Sequence, residues 1–443
     1  MNKYFYNCFF IALTLTSKAQ DSPLRLSLNK AIEVALKNSY NTRAAENDMA
    51  AAKEKVWETT TIGLPQINGV VDYQRFLKQP ITVADIDGDG VNEEFVFGTE
   101  QNINGSVTLS QLLFDGTYLV GLQSAKTFLK ISEQAKEKTA LLTREAVINA
   151  YGNVLISENS VVILESNLKI LEKNYNDAKK IYENGLSEEE DVEQLLITLG
   201  DVKNQLNSVK RLTEIAYQML NLALGNKIDT AIVLTDSLDS LTENHIKIEI
   251  LGKQFLFEDH IDYRIAANDR ETKRLMVKLE KSKSLPSLNA FINYGTQAFS
   301  NEFSFFNSSQ SWFQSSLLGI SLKVPIFSSF ARRSRTAQAK IELNTADLRL
   351  EETKQRIELQ AKKAKSDYQL SVESYQTAKR NLGLAERIEK KQRIKFFEGL
   401  STSFNLLQAQ TQLYAQQQNY IQSMLSVITK KAALENALNL PIK

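Results

Sequence analysis

The chain has 443 residues, with 53 Lys+Arg against 52 Asp+Glu and a formal net charge of +1. That balance lacks the basic surplus of a nucleic-acid binder. Hydrophobic residues at 43% and charged residues at 24% suit a folded chain and exclude a disordered tail.

The first segment has the pattern of a secretory signal. Lys3 gives a basic start, Cys8–Leu15 an apolar run, and Ser17-Lys18-Ala19 small residues for cleavage after Ala19. A buried N-terminal strand is the alternative. Cys8 is the only cysteine, so the mature chain has no disulfide framework. No later stretch is apolar over about 18 residues, so no transmembrane helix is expected. A periplasmic, secreted or β-barrel protein remains.

Proline is absent between Pro80 and Pro286 and between Pro325 and Pro441. Proline in a helix interior costs about 3 kcal/mol, so both tracts permit very long helices. The chain also repeats itself. Leu64-Pro65-Gln66-Ile67-Asn68 returns as Leu285-Pro286-Ser287-Leu288-Asn289. Leu112-Leu113-Phe114-Asp115-Gly116 returns as Pro325-Ile326-Phe327-Ser328-Ser329, and Asn184-Gly185-Leu186-Ser187 as Glu398-Gly399-Leu400-Ser401. Three matches in one order, at a nearly constant offset of about 215 residues, indicate a duplicated unit.

Each unit reads as helix, strand, strand, long helix, tight turn, long helix. The opening helix is expected over 29–62, with Asn29 as its cap and Ala31, Ile32, Ala35 and Leu36 as its apolar stripe. Its counterpart is expected over 262–284. The strands are expected to be about ten residues long and alternate with period two. Ile67, Val71 and Tyr73 oppose Gln66, Asn68, Asp72 and Gln74; Leu288, Ala290, Ile292 and Tyr294 oppose Ser287, Asn289 and Asn293. Val107 and Leu109 oppose Ser106, Thr108 and Ser110, and Leu318, Ile320, Leu322 and Val324 oppose Gly319, Ser321 and Lys323. A membrane barrel with a wet lumen needs this pattern, and a half-buried sheet in a soluble domain shows it too.

The long helices follow from Thr117 to Asn184 and from Ala331 to Glu398, rods of about 100 Å each at 1.5 Å per residue. Past the turns, heptad seams run through Leu195, Val202, Val209 and Ala216 and through Leu413, Tyr420, Val427 and Leu434. In the turns, Gly185 and Gly399 fit left-handed helix ends, Ser187 and Ser401 fit caps, and Leu186 and Leu400 form apolar tips. The stretch 226–261 reads as a connector with a short strand at 231–234. The domain organisation is therefore a signal (1–19), a first repeat (20–225), a connector (226–261) and a second repeat (262–443).

Asp85, Asp87 and Asp89, followed by Gly90, resemble a calcium loop, but Val96 stands where a bidentate acid is expected. The alternatives are a solvated acidic turn and a structural calcium site. Trp312 and Phe303-Ser304-Phe305-Phe306 suit an interfacial aromatic girdle or ordinary packing. With two histidines, no phosphate loop and no nucleophile elbow, no catalytic set emerges and no cofactor is implied.

The Leu-Pro strand openings, the Leu-Phe-Asp-Gly and Pro-Ile-Phe-Ser strand ends and the Gly-Leu-Ser turns, in order and duplicated, resemble the outer-membrane efflux (TolC) family over essentially the whole mature chain. The resemblance implies a mainly α fold with a β-barrel portion. Three chains would pool four strands each into a twelve-stranded outer-membrane barrel continuous with a long periplasmic helical barrel. It implies a homotrimer in outer-membrane lipid that works with a periplasmic adaptor and an inner-membrane pump, passing drugs, metals or secreted peptides outward. Gly185, Leu186, Ser187, Gly399, Leu400 and Ser401 would dock the adaptor. The family often places aspartates six and nine residues after the second turn glycine, lining the closed entrance. Here those positions are Asn405 and Gln408, while the first repeat has Asp191 and Gln194. The acids Glu188, Glu189, Glu190 and Glu193 near Asp191 read first as helix-dipole stabilisation. The strand count agrees with a trimer: four strands cannot close a barrel, and about eight only fill their own interior. The opposing class is a soluble or surface-attached coiled-coil structural protein.

Overall fold

Long, proline-free tracts become long helices. A computed structural model describes residues 23–85, 88, 90, 92–252 and 257–440. The expected signal segment, Asp87 and Asp89 lie outside the described residues. In chain order the elements are β1 (Leu24–Leu26), α1 (Leu28–Asn38), α2 (Tyr40–Thr61), β2 (Gln66–Arg75), β3 (Ile81–Ala84), β4 (Glu93–Val96) and β5 (Gln101–Asp115). There follow α3 (Gly116–Glu183), α4 (Glu189–Leu224), β6 (Ile232–Leu234), α5 (Leu238–His245) and α6 (Ile261–Ser282). The chain ends with β7 (Ser287–Ser300), β8 (Phe313–Lys323), α7 (Ala331–Phe397) and α8 (Ser403–Ala437). Helices α3 and α7 have 68 and 67 residues. The fold is mainly helical with one principal sheet.

Two compact units form, each with segments from both repeats. The first, the hairpin unit, comprises the described residues through Thr42, Leu142–Lys253 and Ala364–Asn436. Its core follows the heptads: Leu164, Leu171, Val202 and Leu206 are buried, with Val161, Leu168, Leu199, Val209 and Tyr414 packed against them. Each such side chain contributes about 1.5–3 kcal/mol by leaving water. The connector is tied down by hydrogen bonds. β1 pairs in parallel with β6, and the buried Tyr151 hydroxyl donates to Leu26 O and Asp236 Oδ2, each at 3.0 Å.

The second, the sheet unit, comprises Arg43–Leu141 and Gln254–Lys363 with the C-terminal residues. Its four-stranded antiparallel sheet has the order β2-β5-β7-β8, so β5 and β7, one from each repeat, lie at the centre. At the strand–helix junction Asp115 Oδ1 accepts from the amides of Thr117 and Tyr118 at 2.6 and 3.1 Å, capping α3 directly off β5. At the other junction Arg332 donates to Pro325 O and Ile326 O at 2.9 and 3.2 Å. It thereby holds a turn in which Ser329 and Phe330 have positive φ.

Several sequence expectations need correction. The opening helix is broken: Ser39 is extended at φ −59, ψ 145 and ends α1. Its hydroxyl accepts from Thr42 N at 3.3 Å and so caps α2. The cap of α1 is Ser27, not Asn29. β5 and β7 run to 15 and 14 residues, beyond the expected ten, because they pair with each other along their whole length. An unexpected hairpin, β3–β4, stands in the acidic loop. Helix α3 does contain a window long and apolar enough to cross a membrane. Its Val147, Ile148, Val154 and Leu155 are buried in the hairpin unit, so this is a core stretch.

Candidate functional site

The sheet unit sorts its side chains by face. The register aligns Ile67, Leu109, Ile292 and Leu318 across all four strands. Val107 with Tyr294, Ala290 with Ile320 and Leu288 with Leu322 lie on the same side. The opposite side is mainly polar: Asn68, Thr108 and Asn293 align with Leu317, and Ser106, Gly295 and Ser315 with Val70. There Asn293 Nδ2 donates to Thr108 Oγ1 at 2.7 Å, joining the two repeats. Away from the Tyr73–Ile103–Ala298 row, the apolar side has no cover among the described residues: Ile67 and Ile320 are each 71% exposed. β2 is exposed throughout and β8 nearly so, and each has one unpaired edge. An open sheet with a largely bare apolar face, a mainly polar face and two unpaired edges is a poor structure to leave alone in water.

Above this sheet, the Tyr73 ring meets Phe303 and Phe305 edge-on at centroid distances of 5.9 and 6.0 Å. Phe305 is buried by this packing, while Phe303, Phe306 and Trp312 stay exposed. In the neighbouring acidic loop, Asp85 Oδ1 accepts from Gly88 N at 2.7 Å and Oδ2 from Gly90 N at 2.9 Å. Both carboxylate oxygens of Asp85 therefore serve the turn itself. Among the described residues no group of three or more His, Cys, Asp or Glu is arranged to hold a metal.

The hairpin unit carries the turns. Gly185 and Gly399 have φ of 74 and 71, the left-handed region expected of both. The amides of the next residues reach back: Leu186 N to Ile181 O at 3.0 Å and Leu400 N to Lys395 O at 2.8 Å. Each turn thus closes with a bond across six residues, which leaves its leucine outside. Leu186 is 78% and Leu400 73% exposed. The serines do not cap. Glu188 occupies the cap position of α4 without a side-chain bond, and the Ser187 hydroxyl is buried with no partner. Ser401 Oγ donates to Gln392 Oε1 at 3.1 Å, while Thr402 Oγ1 accepts from Asn405 N at 3.4 Å. The helices start one or two residues later than the repeat suggests, so the cap moves with them.

Of the entrance candidates, Asn405 and Gln408 are exposed and Asp191 half-buried. No hydrogen bond joins Asp191 to Asn405 or Gln408 among the described residues. What does join the first turns of α4 and α8 is the Ser403 hydroxyl, which donates to Gln194 Oε1 at 2.9 Å. Gln194 Nε2 in turn donates to Glu190 Oε1 at 3.0 Å. Sequence reasoning missed Ser403; its signal was the seven-residue step to the buried Gln410. Further along α7, burial raises the Glu389 carboxyl above the usual range against the opposing pull of Arg393, 3.5 Å away.

Comparison places this architecture among known ones. A family model described as outer membrane efflux protein matches residues 31–226 and 260–440, one match for each repeat. The fold is similar to that of CusC, a structure described for folding and transmembrane channel formation. Identity there is 18%, coverage 93% of this chain and 91% of that one, and TM-score 0.73. It is similar also to the outer membrane protein VceC of Vibrio cholerae (17% identity, 93% and 95% coverage, TM-score 0.71). The Campylobacter jejuni CmeC outer membrane channel matches at 17% identity, 93% and 85% coverage and TM-score 0.71. No curated protein matches the chain.

Proposed function

Because the chain belongs to the outer membrane efflux protein family, we propose that three copies pool their sheets into one twelve-stranded barrel and serve a pump and adaptor as the exit duct. The protein is an outer-membrane efflux channel. Its family is one of channels and not of enzymes.

The observation that carries the assembly is the uncovered sheet. In lipid, every backbone group on a sheet edge must pair, and β2 and β8 each leave one edge open. Pairing β2 of one copy with β8 of the next satisfies both. Closure turns the Ile67–Leu109–Ile292–Leu318 face to lipid and the Asn68–Thr108–Asn293 face to a wet lumen, whose polar wall lets solutes pass without binding tightly. Three copies are the smallest closed set that leaves a pore. The soluble coiled-coil alternative leaves this apolar face without a partner and leaves the family match unaccounted for.

The finer assignments rest on the hairpin unit. Leu186 and Leu400, exposed at their turns with Gly185, Ser187, Gly399 and Ser401, present an apolar surface to a periplasmic adaptor. Asn405, Gln408 and Asp191, on the first turns of α8 and α4, line the periplasmic aperture, which opens when the hairpins splay. The substrate is a solute delivered by the inner-membrane pump.

Conductance tests this reading. Purified protein reconstituted in a planar bilayer should give discrete, ohmic current steps. Folded, membrane-inserted protein that passes no current would refute it.

A further inference from the structure

Two grooves flank the helix pair α3 and α6 where the strands of the sheet unit end. One, of about 570 Å³, takes in Gln66, Ser110 and Asn289 from the strands together with Thr117, Tyr118 and Gly121 of α3. Gln66 and Ser110 are register partners on the polar side of the sheet. The other, of about 640 Å³, is lined by Leu119, Leu122, Lys126, Lys278, Lys281 and Leu285 among others. At 3.6 residues per turn, Leu119, Leu122 and Lys126 lie opposite Thr117 and Gly121 on α3. Lys278 and Lys281 likewise lie away from Leu279 and Lys283, which line the first groove. The second groove therefore opens on the apolar side of the sheet.

Its position and chemistry agree. Gly116, at its upper end, is the first residue of α3 after β5, and Leu285 lies just before β7. The groove begins where the apolar strands stop. Its leucines continue the apolar face, with Lys281 of α6 four residues before Leu285 and Lys126 four residues after Leu122 on α3. Lys278 Nζ donates to Gln123 Oε1 at 2.8 Å. Lys126 and Lys281 are exposed and make no ion pair among the described residues. An apolar wall that adjoins the sheet and carries three ammonium groups is complementary to an acyl chain bearing a phosphate. A second copy of the chain is a poorer fit. The groove adjoins the central strands β5 and β7, whereas a neighbour would join at the edges β2 and β8.

We propose that this groove binds an anionic phospholipid of the membrane leaflet at the strand ends, its phosphate on Lys126, Lys278 and Lys281 and an acyl chain along Leu119, Leu122 and Leu285. The site rests on the barrel reading, because only that reading puts this side of the sheet in lipid. Its consequence is a fixed depth for the barrel, set by a headgroup contact as well as by apolar span.

The test is native mass spectrometry of the detergent-solubilised full chain, with phosphatidylglycerol, phosphatidylcholine or inorganic phosphate added. The parent should retain phosphatidylglycerol in preference to phosphatidylcholine. Lys126→Gln with Lys278→Gln and Lys281→Gln should weaken that retention about a hundredfold, as expected for losing three cations near an anionic headgroup. The corresponding triple Arg variant should keep it. Inorganic phosphate should not displace the lipid, because it has no chain for the leucines. A trimeric, SDS-resistant parent without preference for the anionic lipid would overturn the site and leave the channel standing. So would equal retention by parent and Gln variant, or full displacement by phosphate. A parent that is a monomer soluble without detergent would overturn both.

Discussion

The Ser403 hydroxyl donates to the Gln194 side-chain oxygen at 2.9 Å and ties the return helices of the two hairpins together at their first turns. Ser403 is buried, so the bond is shielded from water. A bond of this kind is worth about 1 kcal/mol net, or roughly a fivefold change in an equilibrium. If splaying hairpins open the entrance, Ser403→Ala and Gln194→Ala should each raise open probability about that much in single-channel recordings. The double variant should add little to either. Unchanged gating in all three would separate this bond from the closed state.

Asn405 and Gln408 are exposed on the first turns of α8. A ring of carboxylates in a narrow neck focuses cations. Asn405→Asp with Gln408→Asp should therefore raise the cation-to-anion permeability ratio, read from reversal potentials in a salt gradient. Equal ratios in variant and parent would place the constriction elsewhere, with Asp191 the next position to test.

Leu186 and Leu400 are exposed at their turns. Seated in an adaptor, each would contribute about 1.5–3 kcal/mol through burial. Leu186→Asp with Leu400→Asp should abolish efflux in cells while leaving protein level and membrane insertion unchanged. Normal efflux at normal level would rule out docking through these two side chains.

Burial holds the His245 imidazole below the ordinary histidine range, reinforced by the Lys431 and Arg144 charges and opposed by its bond to Leu241 O and by Glu435. The unfolded chain therefore takes up a proton that the folded one refuses. Stability is complete above the unfolded pKa of about 6.5 and falls as pH drops below it. His260 is shifted the same way, so His245→Gln should flatten the slope rather than remove it. Thermal unfolding followed from about pH 7.5 to 5.5 reads this, and identical slopes for parent and variant would contradict it.

Much of the architecture could be read from residue order, because long-range regularity is robust to local detail. Two proline-free tracts and repeated Gly-Leu-Ser turns were enough to bound α3 and α7 within a residue or two. The strand faces followed from alternation, since Ile67, Leu109, Ile292 and Leu318 must share a side once paired. Local choices were harder to read. Ser39 interrupts a continuous apolar stripe through its own hydroxyl bonds, which periodicity does not register. The β3–β4 hairpin flanks an acidic turn whose composition reads as loop. At the turns, the cap passed from Ser401 to Thr402, and the tie through Ser403 and Gln194 joins residues far apart in sequence.

The central claim is that the free edges of β2 and β8 pair between copies, and disulfide trapping tests it most directly. Cys8 is the only cysteine, in the segment expected to be cleaved. A cysteine at Val70 on β2, combined in turn with one at Ser315, Leu317, Gly319 or Ser321 on β8, samples the register along one face. A disulfide needs Cβ atoms about 3.5–4.5 Å apart, which the closer, non-hydrogen-bonded pairs of adjacent strands approach at about 4.5 Å. The expected result is covalent dimers and trimers, and nothing larger, for one of these pairs under mild oxidation in the membrane. Monomer alone for every pair, in protein that is folded and inserted, would contradict the shared barrel.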